Sequence, residues 1–223
     1  MKRIYPCVLL LMITILCSCS QDDSWEKAYK AQKEHYIAMW AQSLEPFEND
    51  IAFYGDSRVA GADWVTAFSA YDVVNLGIGG DRVSDLILRI PLVKALDIKH
   101  CFIAIGGNDC LASSFNLATF EAQYRELLDK LKPICPSLYL QTIAGVRNSI
   151  SSNASSKIQK ANEVIGKLAS DYGLPLIDMA SFMNTEAGEL QDAYSSDGVH
   201  FSPAGNDLWY STLRPYIEAT IEP

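Results

Sequence analysis

The chain has 223 residues, of which 49% are hydrophobic and 20% are charged, which is typical of a globular domain rather than a disordered or fibrous protein. This length is enough for one domain with a sizeable hydrophobic core. The formal net charge is −9, and no lysine or arginine cluster follows the first three residues, so nucleic acid is excluded as an expected partner.

The first segment, 1–19, has the organisation of a secretory signal. A positively charged start precedes an apolar run at 8–16, which is too short to span a bilayer as a helix. The closing letters "LCSC" resemble a bacterial lipobox, which implies that Cys19 becomes the lipidated N-terminus; an ordinary signal peptide or a short membrane anchor is the alternative. We therefore expect a protein anchored by lipid in the bacterial cell envelope, facing the periplasm or the outside, with no other membrane contact.

Residues 20–48 are predicted to form a linker and an N-terminal amphipathic helix at 24–44, and residues 49–223 the main domain. In that domain strands alternate with helices. Strands are predicted at 50–55, 71–77, 100–107, 137–145 and 174–179, and helices at 83–96, 119–132, 155–173 and 202–221.

Several residues predict where these helices begin, bend or end. Pro91 predicts a break or kink in the first of them, and Thr119 is the predicted N-cap of the second. Gly173 is the predicted end of the third, and Ser202 with Pro203 the start of the last. The strands are apolar nearly throughout, which favours a five-stranded parallel sheet covered on both faces, a three-layer α/β/α architecture. Functional residues are then expected beyond the carboxyl ends of the strands.

Four short motifs fall at such positions. "GDS" (55–57), "GIGGD" (77–81) and "GGND" (106–109) follow the first three strands, and "DGVH" (197–200) precedes the last helix. Each alone is explained by turn glycines and helix-capping side chains. Arg82 stands where a dinucleotide fingerprint needs glycine, so that template fails, as do the nucleophile-elbow, P-loop and zinc-protease templates.

Together and in this order, the four motifs resemble the blocks of the SGNH hydrolases, also called GDSL-type lipases or acylhydrolases, across residues 51–205. The resemblance implies a flavodoxin-like SGNH-hydrolase fold and a serine esterase that needs neither a metal nor another cofactor. One departure is Arg58, where the name-giving motif has leucine. We expect Arg58 to form a surface salt bridge, the alternative being that it favours an anionic substrate.

The motifs predict a catalytic triad. A serine hydroxyl needs an adjacent base, and an imidazole base needs a carboxylate that holds it in one orientation. We assign Ser57 as the nucleophile, His200 as the base and Asp197 as the carboxylate, because one turn can bring the last two together; a turn aspartate beside a surface histidine is the alternative. His35, on the N-terminal helix, and His100, at the amino end of the third strand, are rejected as bases.

The resemblance also implies an oxyanion hole formed by the backbone N–H of Ser57, the backbone N–H of Gly80 and the side-chain amide of Asn108. Glycine permits close approach of an anion to its N–H, and asparagine offers a donor without a negative charge. The three aspartates beside these residues are expected to bond the backbone of their own loops: Asp56, Asp81 and Asp109.

Three cysteines follow the predicted anchor: Cys101, Cys110 and Cys135. An odd number without a C-x-x-C pair excludes a fully paired disulfide framework and disfavours a zinc site. Buried free thiols are expected, with a Cys101–Cys135 disulfide in an oxidising compartment as the alternative.

The expected substrate is a small ester with a short acyl group, such as acetyl on a glycan. The segments that should surround the site, 108–118, 146–157 and 184–198, are mostly polar, and none has the length or the apolar run of a lid. The alternatives are a lipase, lysophospholipase, thioesterase or transacylase, and, from another class, a non-catalytic lipoprotein binding module.

Overall fold

The computed structural model describes residues 51–220 and, before them, only Ile37, which lies in a helix. The chain divides into two compact units, Met1–Met39 and Trp40–Pro223. The predicted signal segment with Cys19, His35 and the rest of the predicted helix at 24–44 lie outside the described residues. In the part of the chain that the structure describes, no helix has the length and apolar character needed to cross a membrane.

The second unit contains a five-stranded sheet in which every paired strand is parallel, as predicted. The strands are β1 Ile51–Gly55, β2 Val73–Gly77, β3 His100–Ala104, β4 Ser137–Gln141 and β5 Leu176–Ile177. Their order is β2-β1-β3-β4-β5. The chain goes from β1 outward to β2 and then crosses back to β3, so the direction of winding reverses beside β1. In such sheets the crevice at this reversal, beyond the carboxyl ends of the strands, is where ligands bind.

The helices cover both faces of this sheet. They are α1 Ser57–Ala60, α2 Trp64–Ala67, α3 Val83–Ala95, α4 Gly107–Leu111, α5 Leu117–Leu131, α6 Ala154–Tyr172, α7 Met179–Met183 and α8 Pro203–Thr220, with a 3-10 turn at Asp192–Tyr194 before α8. The short helices α1, α2, α4 and α7 were not predicted, because four or five residues carry too little periodic pattern.

Alternate residues of each strand contribute to two separate hydrophobic cores. Ala52 and Tyr54 of β1 pack in a core that includes α3, α5 and α6. Ile51 and Phe53 pack in a second core with α1, α2, α7 and α8. The three-layer α/β/α architecture is therefore confirmed. The three described cysteines are buried free thiols, as expected: Cys101, Cys110 and Cys135.

Two predicted helix features are corrected. Pro91 does not break its helix, because α3 continues from Val83 to Ala95 with the side chains of Ile90 and Leu92 buried on either side of Pro91. The N-cap of α5 is Asn116, whose side chain accepts a hydrogen bond from the N–H of Thr119, so the helix begins before Thr119. The predicted start of α8 at Pro203 is confirmed, and Ser202 Oγ accepts from the N–H of Gly205, the third residue of the helix.

Candidate active site

Ser57 lies at the carboxyl end of β1, where it is the first residue of α1. The side chain of Asp56 caps this helix by accepting a hydrogen bond from the N–H of Arg58 at 3.0 Å. This is the role within its own loop that was predicted for Asp56. Its carboxyl group is buried, and burial raises its pKa above the ordinary value.

The structure brings Ser57, His200 and Asp197 together. His200 Nε2 lies 3.0 Å from Ser57 Oγ, and His200 Nδ1 lies 2.7 Å from Asp197 Oδ2. Ser57 and His200 are 143 positions apart in the chain, so the contact is made by the fold and not by local sequence. An imidazole with a hydroxyl on one nitrogen and a carboxylate on the other can take a proton from that hydroxyl.

The turn that carries Asp197 and His200 is held by its own hydrogen bonds. Asp197 Oδ1 accepts from the backbone N–H groups of Val199 and His200, both at 2.8 Å, in the manner of an Asx turn. Ser195 Oγ donates to the same oxygen at 3.2 Å and accepts from the N–H of Gly198. Gly198 has φ +82, and a Cβ there would meet the Arg147 side chain, so glycine is required.

These contacts determine the charge of Asp197. Burial acts to raise its pKa, but the hydrogen bonds from the His200 ring and from the N–H groups of Val199 and His200 outweigh burial. The pKa of Asp197 is therefore held well below its ordinary value. The carboxylate stays ionised at neutral pH and favours the imidazole tautomer that carries its proton on Nδ1.

Asn108 lies in α4, the short helix that follows β3, and Gly80 lies in the turn that follows β2. Asn108 Nδ2 donates to the carbonyl of Asp81 at 2.9 Å, which joins the Asn108 side chain to the loop that carries Gly80. Gly80 is exposed and has φ +80. Among the described residues, no acceptor takes the backbone N–H of Gly80 or of Ser57.

Asp81 was expected to bond the backbone of its own loop, and the structure gives it a partner outside that loop. Its buried carboxylate forms an ion pair with Arg89 of α3, at 2.6 Å between Oδ2 and Nη2. Arg89 is also fully buried and donates to the carbonyls of Leu76 and Gly55, at the ends of β2 and β1. It thereby ties two strand ends to the Gly80 loop. Arg89 was missed, although a charged residue on the apolar face of α3 was a visible signal.

The carboxylate of Asp109 bonds its own backbone N–H, as predicted, and also reaches out of its own loop. Asp109 Oδ2 accepts from the N–H of Val83, the first residue of α3, at 3.2 Å. Burial raises the pKa of Asp109 to about 6, and the Val83 hydrogen bond offsets only part of this effect.

Asn75 is a second residue that sequence reasoning missed. Its side chain on β2 donates to the carbonyl of Val59 at 3.0 Å and accepts from the N–H of Gly77 at 2.9 Å. It therefore ties α1, which begins with Ser57, to the neighbouring strand. A lone polar residue in an otherwise apolar buried strand was the available signal.

Arg58 does not form the expected surface salt bridge within residues 51–220; its partly buried side chain donates to main-chain carbonyls instead.

His100 is the first residue of β3, at the amino ends of the strands and opposite Ser57. Burial lowers its pKa.

Comparison with known proteins identifies a family. The model of the GDSL-like lipase/acylhydrolase family matches residues 53–208. An N-acylneuraminate cytidylyltransferase of Streptococcus agalactiae serotype V is 24% identical over 166 residues, 74% of this chain and 38% of that protein. A multidomain esterase of Ruminococcus flavefaciens is 28% identical over 182 residues, 76% of this chain and 23% of that protein. The chain thus spans well under half the length of these curated relatives.

Solved structures show the same fold. A GDSL-like lipase from Bacteroides thetaiotaomicron superposes with a TM-score of 0.75 at 23% identity, covering 86% of this chain and 99% of that chain. An acetylxylan esterase from Geobacillus stearothermophilus superposes with a TM-score of 0.63 at 21% identity, covering 79% of this chain and 96% of that chain.

Proposed function

Because the chain belongs to the GDSL-like lipase/acylhydrolase family, a family of ester-bond hydrolases, we propose that it is a serine esterase with Ser57, His200 and Asp197 as its catalytic triad. The observation that carries the proposal is the position of the His200 ring, 3.0 Å from Ser57 Oγ on one side and 2.7 Å from Asp197 on the other. A surface histidine beside a turn aspartate would have no reason to meet a residue so distant in sequence.

The reaction proceeds in two steps. Ser57 Oγ attacks the ester carbonyl carbon while its proton passes to His200 Nε2, and the resulting tetrahedral intermediate expels the alcohol, which takes that proton. A water molecule then gives a proton to His200 and attacks the acyl-enzyme, releasing the acid and returning the proton to Ser57. Asp197 stays ionised throughout and stabilises the imidazolium.

The negative oxygen of each intermediate is stabilised by the N–H groups of Ser57 and Gly80 and by the Asn108 amide. The Asp81 carbonyl takes one amide hydrogen of Asn108 and so fixes the plane of that group. The second hydrogen of the Asn108 amide can then donate to the negative oxygen without a change in the side-chain conformation. Donors that are fixed in place before the reaction lower the activation barrier.

The triad is tested by the Ser57→Ala and His200→Ala variants, with His100→Ala as the matched control at the opposite end of the sheet. We expect each triad variant to lose at least about 10⁴-fold in kcat on nitrophenyl acetate, and the double variant to lose little more, because the two residues act as a unit. Normal activity of folded His200→Ala protein, or loss in His100→Ala, would contradict the assignment.

We propose that the substrate carries a short acyl group, such as acetyl on a glycan. Four large hydrophobic side chains are prominently exposed among the described residues, Val65, Leu88, Ile150 and Phe182, and of these only Ile150 lies in the segments expected to surround the site. Aggregated lipid requires a contiguous apolar surface, which one isoleucine does not supply. An acetylxylan esterase shares the fold, which is consistent with a short acyl group.

This preference is tested with a nitrophenyl ester series from acetyl and butyryl to palmitoyl. We expect kcat/KM to fall as the acyl chain lengthens, and release of acetate from an acetylated xylo-oligosaccharide to be detectable. A preference for palmitoyl would instead support the lipase alternative.

We also propose that the protein is a lipoprotein of the cell envelope, acylated at Cys19. The support is the order of Leu16, Ser18 and Cys19 after a short apolar run. Cys19→Ser should lose palmitate labelling and leave the membrane fraction, whereas Cys17→Ser should behave as wild type. Unchanged labelling of Cys19→Ser would contradict the proposal.

A further inference from the structure

The Arg58 side chain connects three parts of the site. Its Nε donates to the carbonyl of Val199 at 2.8 Å, its Nη1 to the carbonyl of Ala144 at 2.7 Å and its Nη2 to the carbonyl of Gly145 at 2.7 Å. Ala144 and Gly145 follow β4, while Val199 immediately precedes His200. Arg58 itself immediately follows Ser57.

Arg58 also contacts the residue on the other side of His200. Its guanidinium carbon lies 4.9 Å from the centre of the Phe201 ring. The side chain therefore touches both chain neighbours of His200 while its backbone is joined to Ser57. Within residues 51–220 the side-chain N–H groups of Arg58 donate to main-chain carbonyls and not to a carboxylate, although its charge is attracted to those of Asp56 and Asp197.

We propose that Arg58 is a positioning residue that sets the separation of His200 Nε2 and Ser57 Oγ; this rests on the proposed triad. A planar guanidinium presents several N–H groups at fixed angles and can serve three carbonyls at once, which a lysine ammonium on a flexible stem cannot do with the same geometry. Leucine at this position would leave the three carbonyls without these donors.

The turn that carries His200 has other attachments, which distinguish positioning from folding. The N–H of Arg147 donates to the carbonyl of Gly198 at 3.0 Å, and the N–H of Ser202 donates to the carbonyl of Tyr194 at 2.8 Å. Loss of the Arg58 side chain should therefore leave the turn folded but let its distance from Ser57 vary. A displacement of about 1 Å can lower the rate about 10²-fold.

The experiment compares Arg58→Met and Arg58→Lys with Arg214→Met. Arg214 is a matched control, because it also donates to a main-chain carbonyl, that of Ala67 at 3.1 Å, and its guanidinium also lies near an aromatic ring, that of Phe68 at 5.3 Å. On nitrophenyl acetate we expect kcat of Arg58→Met to fall about 10²-fold with KM changed less than about threefold, since a positioning residue affects the alignment of the reacting groups more than substrate binding. Arg58→Lys should retain part of kcat, and Arg214→Met all of it.

A second measurement separates positioning from loss of folded protein. Guanidinium ion at non-denaturing millimolar concentration should restore part of kcat in Arg58→Ala, whereas ammonium ion should not, because only the planar cation can serve all three carbonyls. The proposal would be overturned if folded Arg58→Met kept a kcat within about threefold of wild type. It would also be overturned if the kcat of every Arg58 variant fell only in proportion to the amount of folded protein and guanidinium ion restored none of it. If Ser57→Ala and His200→Ala remained active, the proposed triad itself would be wrong. If those two variants lost activity and the Arg58 variants kept it, the triad would stand and only the proposed role of Arg58 would be wrong.

Discussion

The two halves of the proposed site are built in different ways. Ser57, Gly80 and Asn108 follow β1, β2 and β3, three adjacent strands of the sheet. His200 and Asp197 come from a turn without a strand, and about half of each side chain is exposed. The first half is therefore held by strands of the hydrophobic core together with buried hydrogen bonds, whereas the second half is held by the hydrogen bonds of an exposed turn.

The two halves also differ in the arginine that supports each of them. Under the first half, Arg89 and Asp81 form an ion pair with no exposed surface. Under the second half, Arg58 bonds only main-chain carbonyls within the described residues. Changes under the first half should therefore alter stability strongly, whereas changes under the second half should alter alignment and rate.

The largest expected effect lies in the exposed half. Asp197→Asn should lower kcat about 10⁴-fold, because a neutral amide no longer selects the imidazole tautomer that can accept the serine proton. The melting temperature should change little by comparison. Steady-state kinetics beside thermal unfolding check this, and a kcat loss of less than tenfold would contradict the role of Asp197.

Arg89→Met should destabilise the fold by about 3–5 kcal/mol, because it removes the cation that faces the buried Asp81 carboxylate. Arg125→Met is the matched control, since Arg125 pairs with Glu121 and Asp171 on the surface. That change should cost much less, because solvent screens a surface ion pair. Equal urea midpoints for the two variants would show that the buried ion pair stabilises the fold no more than the surface ion pairs of Arg125 do.

Asn108→Ala should lower kcat by about 10²–10³-fold with a modest change in KM, because the amide is needed most when negative charge develops on the oxygen. The same kinetic assay measures this. An unchanged kcat would remove Asn108 from the oxyanion hole.

The smallest effect concerns Asp109, whose pKa is raised to about 6 by burial. Because the folded chain holds this proton more tightly than the unfolded chain, whose aspartate pKa is about 3.9, the unfolding free energy should fall as pH rises from about 4 to about 6. The contribution is about 3 kcal/mol at most. It should vanish in Asp109→Asn, which keeps an oxygen to accept from Val83.

Urea unfolding of wild type and Asp109→Asn across this pH range measures the difference. Two curves that run parallel from pH 4 to pH 7 would show that Asp109 titrates alike in the folded and unfolded chains.

Much of the fold could be predicted from the sequence, because apolar strands alternate with amphipathic helices. Strand ends were less predictable: β3 ends at Ala104, before Gly106 with φ +120, although the apolar pattern continued to 107. A strand ends where its backbone turns away from the neighbouring strand, and the amino-acid composition of a segment predicts that point poorly.

The position of Ser57 could be predicted, because motifs that follow parallel strands meet at one edge of the sheet. His200 and Asp197 lie on a turn that does not follow a strand, and they were assigned from the chemistry of a triad and the order of the motifs. The partners of Asp81, Asp109 and Arg58 could not be predicted in this way. Each lies on another element, and which side chain spans the gap depends on packing in three dimensions.

The most direct test of the account is to identify the residue that a fluorophosphonate modifies. Wild-type protein is treated with the probe, digested and mapped by mass spectrometry, beside His200→Ala and His100→Ala. We predict a single adduct on Ser57 that forms in wild type and His100→Ala and is nearly lost in His200→Ala. An adduct on another serine, or equal labelling of Ser57 in all three proteins, would contradict it.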